Sequence, residues 1–135
     1  MVNATPVFIP GLLCTEWLFH GQANIASDTA VFADTRQHDT ITGMAEEALA
    51  KTSGKLVPIG FSMGGYVALE MARLAPARIS AIALFSTNCR QDNDVQRFYR
   101  EKVIKLAQTH GFQGVTRQFL GKLLSPQALA DTALV

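Results

Sequence analysis

The sequence predicts an α/β fold: a mostly parallel sheet of about four strands flanked by helices. Short apolar runs of strand length alternate with longer stretches of helical period. The strand candidates are apolar on both faces, as buried parallel strands are. At 48% hydrophobic and 17% charged content, 135 residues suit one ordinary core-forming domain.

The strand candidates are residues 6–10, 29–33, 55–59 and 79–85, each short and closed by a polar or glycine turn. Pro58 opposes the third, because proline inside a central strand removes a ladder hydrogen bond; its place near the strand's end softens the objection. The first helix is expected over 16–25. The second, over 44–51, sets Met44, Ala45, Ala48 and Leu49 on one stripe and stops at Gly54. The third starts at Gly64, aligns Val67, Met71 and Leu74 beside Ala68, Ala72 and Ala75, and ends at Pro76. Its small alanines allow close approach to a sheet.

After Phe85 the alternation ceases. Asp94 is the expected N-cap of a long helix ending at His110 and Gly111, and 112–124 and 126–135 read as further helix. The chain therefore divides into an α/β core over 1–90 and a helical cap or lid segment over 91–135.

Composition excludes several classes of function. Twelve Lys and Arg against eleven Asp and Glu leave a formal charge of +1, so no net field draws the chain to nucleic acid or an anionic membrane. No apolar run approaches the roughly 18 residues a membrane span needs, and the N-terminus has no secretory pattern. A cytoplasmic protein with a small-molecule partner is expected. Cys14 and Cys89 read as two reduced thiols rather than a disulfide. The three histidines, His20, His38 and His110, are scattered without ligand spacing, so neither metal nor cofactor is expected.

Chemistry concentrates in Gly60-Phe61-Ser62-Met63-Gly64-Gly65, which fits the nucleophile-elbow pattern G-x-S-x-G. With each fixed residue at about 7% abundance, the pattern alone arises by chance in roughly one such chain in twenty. Its weight comes from context: an apolar strand precedes it and an apolar-striped helix follows. A serine on a sharp strand-to-helix turn needs close backbone approach on both sides, and Gly60 and Gly64 leave that space. The following helix presents its positive end beside Ser62. A serine nucleophile also needs an oxyanion hole, one donor being the N–H after the serine, here Met63. The turn Pro10-Gly11-Leu12-Leu13 can aim the second, the N–H of Leu12.

Together, Pro-Gly-Leu-Leu-Cys-Thr-Glu-Trp, Ala-Asp-Thr-Arg-Gln-His-Asp and Gly-Phe-Ser-Met-Gly-Gly-Tyr-Val-Ala-Leu-Glu resemble the α/β-hydrolase fold family, in its serine esterase and lipase-like branch, over residues 7 to about 124. The resemblance implies a partial α/β-hydrolase fold with Ser62 as nucleophile and Leu12 and Met63 as oxyanion-hole donors. The substrate class would be a small ester or related acyl or carbonyl compound. It also implies an acid and a histidine on loops beyond the lid, and the sequence stops inside the lid. The expectation is the N-terminal portion of a longer hydrolase, impaired as it stands. Its sheet edge would be exposed and prone to self-association.

The other titratable residues match no such role. His110 suits a helix C-terminus, His20 and His38 read as solvated, and Asp92 or Asp94 is a weak candidate for an orienting acid. Phe98, Phe112, Phe119, Leu120 and Leu123 could shape an apolar pocket, although packing the lid helices together is the plainer role. The alternative function is a non-catalytic small-molecule-binding module or an inactive remnant of a longer hydrolase.

Overall fold

The computed structural model describes residues 4–22, 28–88, 90–111, 114, 120–121 and 124–131. Four strands, β1 (Thr5–Ile9), β2 (Val31–Phe32), β3 (Leu56–Phe61) and β4 (Ala83–Phe85), form one sheet in the order β2-β1-β3-β4. All pairings are parallel, with Val7 beside Val31, Phe8 beside Ile59 and Gly60 beside Leu84. Helices α1 (Ile41–Ala50) and α2 (Met63–Leu74) are the long elements between strands. Two compact units result, residues 1–90 and 91–135.

Parallel strands need crossover helices, and the amphipathic stripes of α1 and α2 provide the cover. Val7, Ile9 and Leu56 of the sheet pack with Met44, Ala45 and Ala48 of α1 and Val67, Ala68 and Met71 of α2. Ile9, Leu56 and Met71 are fully buried, and each such side chain contributes about 1.5–3 kcal/mol. Thr40 caps α1 by accepting a bond from the Gly43 N–H at 3.1 Å. At the other end, Arg78 donates to the carbonyls of Leu49 (2.9 Å) and Gly54 (3.2 Å) and to the Thr52 hydroxyl (3.1 Å). One guanidinium thus ties the end of α1 to the turn that follows it.

The opposite face of β3 is not buried as expected. Burial alternates along the strand, with Val57, Ile59 and Phe61 only half-covered. Among the described residues that face carries an aromatic cluster near β1 and β2. There Phe8 lies 5.0 Å from Phe19 and 5.2 Å from Phe32 between ring centroids.

Several boundaries differ from expectation. The first helix is a 3₁₀ segment over Glu16–Gln22, and residues 23–25 lie outside the described ones. The second strand is two residues long. The fourth is broken: Ile79 bridges Leu56, whereas regular pairing starts at Ile59 with Ala83, so one extra residue sits on the β4 side. Pro58 explains the break. It stands mid-strand, not near the end, and its nitrogen faces the same side as the Leu56 carbonyl and the Ser62 N–H, which bond to Ser80 and Phe85. Lacking an N–H, it sits where β4 makes no ladder.

In the second unit, α3 (Asp94–His110) starts from a capping box: Asn93 accepts from the Gln96 N–H at 2.9 Å, and the Gln96 side chain accepts from the Asn93 N–H at 3.0 Å. Asn93, not Asp94, is the N-cap, because it stands three residues before a side chain able to reach back. Gly111, at φ 74°, ends the helix. A short helix, α4, follows at Pro126–Ala130. Phe98 is 68% exposed, so it is not the packed residue expected, and Leu120 is half-buried. Phe112, Phe119 and Leu123 lie outside the described residues, as does Cys89. No helix among the described residues is long and apolar enough to cross a membrane.

Candidate active site

At the carboxyl end of β3 the chain turns within one residue into α2. Ser62 occupies that turn at φ 52°, ψ −115°, a conformation that a residue with a side chain adopts only at the expense of about 1–3 kcal/mol. Its N–H donates to the Phe85 carbonyl at 2.9 Å and its carbonyl accepts from the Gly65 N–H at 3.0 Å. The surrounding backbone therefore holds the serine in its strained state. Its side chain makes no hydrogen bond among the described residues.

Glycines make the turn possible. A Cβ built on Gly60 would stand 2.4 Å from the Gly64 carbonyl oxygen, and one on Gly64 2.1 Å from that of Ile9. Gly65 is as constrained, its Cβ position lying 2.4 Å from Cγ2 of Thr87. Residue spacing alone singled out only the first two, although the Gly64-Gly65 doublet was the available signal for the third.

The loop after β1 lies directly against the serine. A Cβ on Gly11 would be 3.2 Å from both the Ser62 Cβ and the Phe61 ring. The Cys14 N–H closes a tight turn onto the Gly11 carbonyl at 3.1 Å, with Leu13 at φ 62°. Gly11, the residue before Leu12, thus lies against Ser62, and Met63 follows the serine; neither the Leu12 nor the Met63 backbone N–H has an acceptor among the described residues. Met63 opens α2, where the first N–H groups are unsatisfied and favour an anion.

Both residues also border a cavity of about 550 Å³. Its apolar side is made by Leu12, Leu13, Met44 and Met63, and its polar side by Thr35, Arg36, His38 and Asp39 of the β2–α1 loop, with Cys14 and Thr15 between. This is the position where open α/β sheets bind ligands, outside the carboxyl ends of their strands.

Fixed ion pairs shape the polar side. Asp34 accepts from Arg36 Nε at 2.8 Å, from Nη2 at 3.0 Å and from the Arg36 N–H at 3.0 Å, and Gln37 adds a bond at 3.1 Å. The guanidinium of Arg36, aided by Gln37, holds the Asp34 carboxyl well below the usual carboxylate range. His38 Nε2 lies 2.8 Å from Glu47 Oε2, at ion-pair distance but without hydrogen-bond alignment. Glu47 also takes Lys51, and that ammonium, then His38, lowers its pKa. His38 thus stands beside α1 on the cavity wall with its side chain 40% exposed, so it is solvated as expected while also facing Glu47.

The remaining candidates lie elsewhere. His20 stacks on Trp17 at 4.3 Å between centroids, and His110 ends α3. Asp92 is engaged by Arg100 at 2.7 Å, and Asp94 opens α3. Cys14 is a free thiol whose Sγ donates to the Leu12 carbonyl at 3.6 Å. No three His, Cys, Asp or Glu side chains gather as metal ligands among the described residues.

The sequence model described as the alpha/beta hydrolase fold matches residues 12–131, most of the chain. The chain belongs to the α/β-hydrolase fold family. Among solved structures, this α/β-hydrolase is similar to a thermophilic esterase from Thermogutta terrifontis, determined with malate bound. The TM-score is 0.71 at 20% sequence identity, over 95% of this chain and 56% of that one. At that identity the likeness shows the fold, and the chain spans little more than half the esterase's length. Comparison with curated proteins gives no match.

Proposed function

We propose that this α/β-hydrolase acts on a small ester or related acyl compound through Ser62, with the Leu12 and Met63 N–H groups stabilising the oxyanion. The observation that carries this reading is Ser62 itself. It is a serine held at positive φ between β3 and the N-terminus of α2, with Gly11, Gly60, Gly64 and Gly65 where the backbone packs closest around the turn. Two free N–H groups on separate segments beside it support the oxyanion role.

In the proposed step, Ser62 Oγ attacks the carbonyl carbon and its proton passes to solvent water. The carbonyl electron pair moves to the oxygen facing Leu12 and Met63, then returns as the carbon–oxygen bond to the alkoxide breaks; the alkoxide takes a proton from solvent, and water later cleaves the acyl–Ser62 ester to the acid and free serine. Serine is a weak nucleophile until a base takes that proton, and no base contacts Ser62 among the described residues. These 135 residues by themselves are therefore expected to be slow. The oxyanion hole and substrate binding alone supply on the order of 10³-fold over water.

The test is hydrolysis of p-nitrophenyl acetate by the chain and by Ser62→Ala, with intact mass recorded for a trapped acetyl group. An adduct of 42 Da expected for acetylation (on the order of the group transferred), present only with Ser62, supports the reading. Identical rates with no adduct overturn it. Tight ligand binding without an adduct would instead favour a non-catalytic binding module, the reading suggested by the missing base contact.

A further inference from the structure

The β2–α1 loop meets the cavity with three charged or titratable side chains, Arg36, His38 and Asp39, and their surroundings differ. Arg36 is held by Asp34 through two side-chain bonds. His38 faces Glu47, and its ring packs so closely on α1 that a Cβ built on Gly43 would stand 3.0 Å from Nδ1. Asp39 has neither a hydrogen bond nor an ion pair among the described residues. Thr35 of the same loop is buried, at 7% exposure. On this wall the Arg36 guanidinium is already held by Asp34, and His38 stands against a Glu47 carboxylate that Lys51 also engages.

From this we infer that the β2–α1 loop is the specificity wall of the cavity that Met63, the residue after Ser62, borders. Asp39 is its charge filter, accepting neutral apolar acyl chains and rejecting carboxylate-bearing ones. The inference rests on the reading of Ser62 as the nucleophile at this cavity and names its substrate class. A neutral chain lies along Leu12, Leu13, Met44 and Met63 without displacing an ion pair. An anionic chain of the same length meets the unpaired Asp39 carboxylate, while the Arg36 guanidinium is already taken up by Asp34. Discrimination by a repulsive element needs no new attractive contact. For a carboxylate within a Debye length at a partly exposed rim, the effect is about fivefold in rate.

The experiment compares Ser62 acylation by p-nitrophenyl hexanoate and by the mono-p-nitrophenyl ester of adipic acid, followed by intact mass at low salt, with Ser62→Ala as background. The neutral ester is expected to react about fivefold faster. That ratio should fall toward one in Asp39→Asn, invert in Asp39→Lys and persist in Glu46→Gln, which removes a charge from an exposed position on α1 that does not line the cavity. An unchanged ratio in Asp39→Asn overturns the inference. Should no ester label Ser62, the nucleophile reading fails, and the filter is decided by binding of 1-hexanol and hexanoate, followed by amide NMR shifts at Leu12, Thr35 and Met63. Preference for hexanol that disappears in Asp39→Asn upholds it, and equal binding of the two refutes it.

Discussion

Gly64 stands against the Ile9 carbonyl so closely that a Cβ there would approach its oxygen to 2.1 Å. This contact locks the first turn of α2 onto the end of β1, and with it the position of Ser62 relative to the Leu12 loop. Gly64→Ala must push apart two backbone segments and is expected to destabilise the chain by about 3 kcal/mol. Gly54→Ala, at φ 66° with nothing within 4 Å, carries only the torsional penalty, about 1 kcal/mol. Urea denaturation of the two variants checks the difference.

Ser62 is strained for its role. Ser62→Gly should relieve the positive φ and raise stability by about 1 kcal/mol, the strain relieved exceeding the extra chain entropy of glycine. It should also abolish the acyl adduct. Ser62→Ala should lose the adduct without gaining stability, so melting temperature and intact mass together separate geometry from chemistry.

Glu70 accepts from the Thr42 hydroxyl at 2.7 Å and from Arg73 at 2.7 and 2.8 Å, bracing α1 against α2. Arg73 first, then Thr42, lower its pKa from 4.5 to about 2. A depressed carboxylate stabilises the fold above its unfolded pKa and loses that contribution as pH falls through the folded one. The melting-temperature advantage of the native chain over Glu70→Gln should therefore be level above pH 5 and shrink from 4.5 toward 2. An advantage independent of pH would contradict the assignment.

Arg78 is expected to be the costliest polar side chain to remove. Arg78→Met removes the donor to the Gly54 carbonyl and the Thr52 hydroxyl, and leaves the Leu49 carbonyl its longer bonds from the Thr52 N–H (3.4 Å) and hydroxyl (3.3 Å). The loss should be about 2 kcal/mol. Arg78→Lys should recover part of it, because an ammonium reaches one or two of these acceptors but cannot span all three. Equilibrium unfolding measures both.

Among the described residues β4 pairs only with β3, and Leu84 and Phe85 are 37% and 54% exposed. An open apolar edge of this kind is a template for another strand. We expect self-association of the chain at micromolar concentration, reduced by Leu84→Lys. Light scattering of the two proteins tests this, and a monomeric native chain would refute it.

Much of the architecture follows from local pattern. The apolar runs at β1 and β3 and the stripes of α1 and α2 report burial directly, because side-chain period and backbone geometry are coupled. The elbow is readable from its spacing: Gly60 meets the Gly64 backbone within the same turn, although Gly64 in its place meets the Ile9 carbonyl of β1, a contact that only the tertiary structure supplies. The N-cap of α3 was readable too, had the Gln96 side chain been weighed against Asp94, since a capping box is a three-residue signal.

What sequence by itself determined is the parallel α/β order and a serine at the strand-to-helix turn. Tertiary structure decided the rest. Pairing across the sheet turned Pro58 from an objection into the place where β4 breaks, and packing brought Thr87 against Gly65. The cavity wall pairs Arg36 with Asp34 and His38 with Glu47, and it leaves Asp39 alone. The match between His38 and Glu47 spans a loop and two turns of helix, so no local propensity encodes it. Such contacts depend on where the elements come to rest, and that is set by burial of the whole sheet rather than by any one segment.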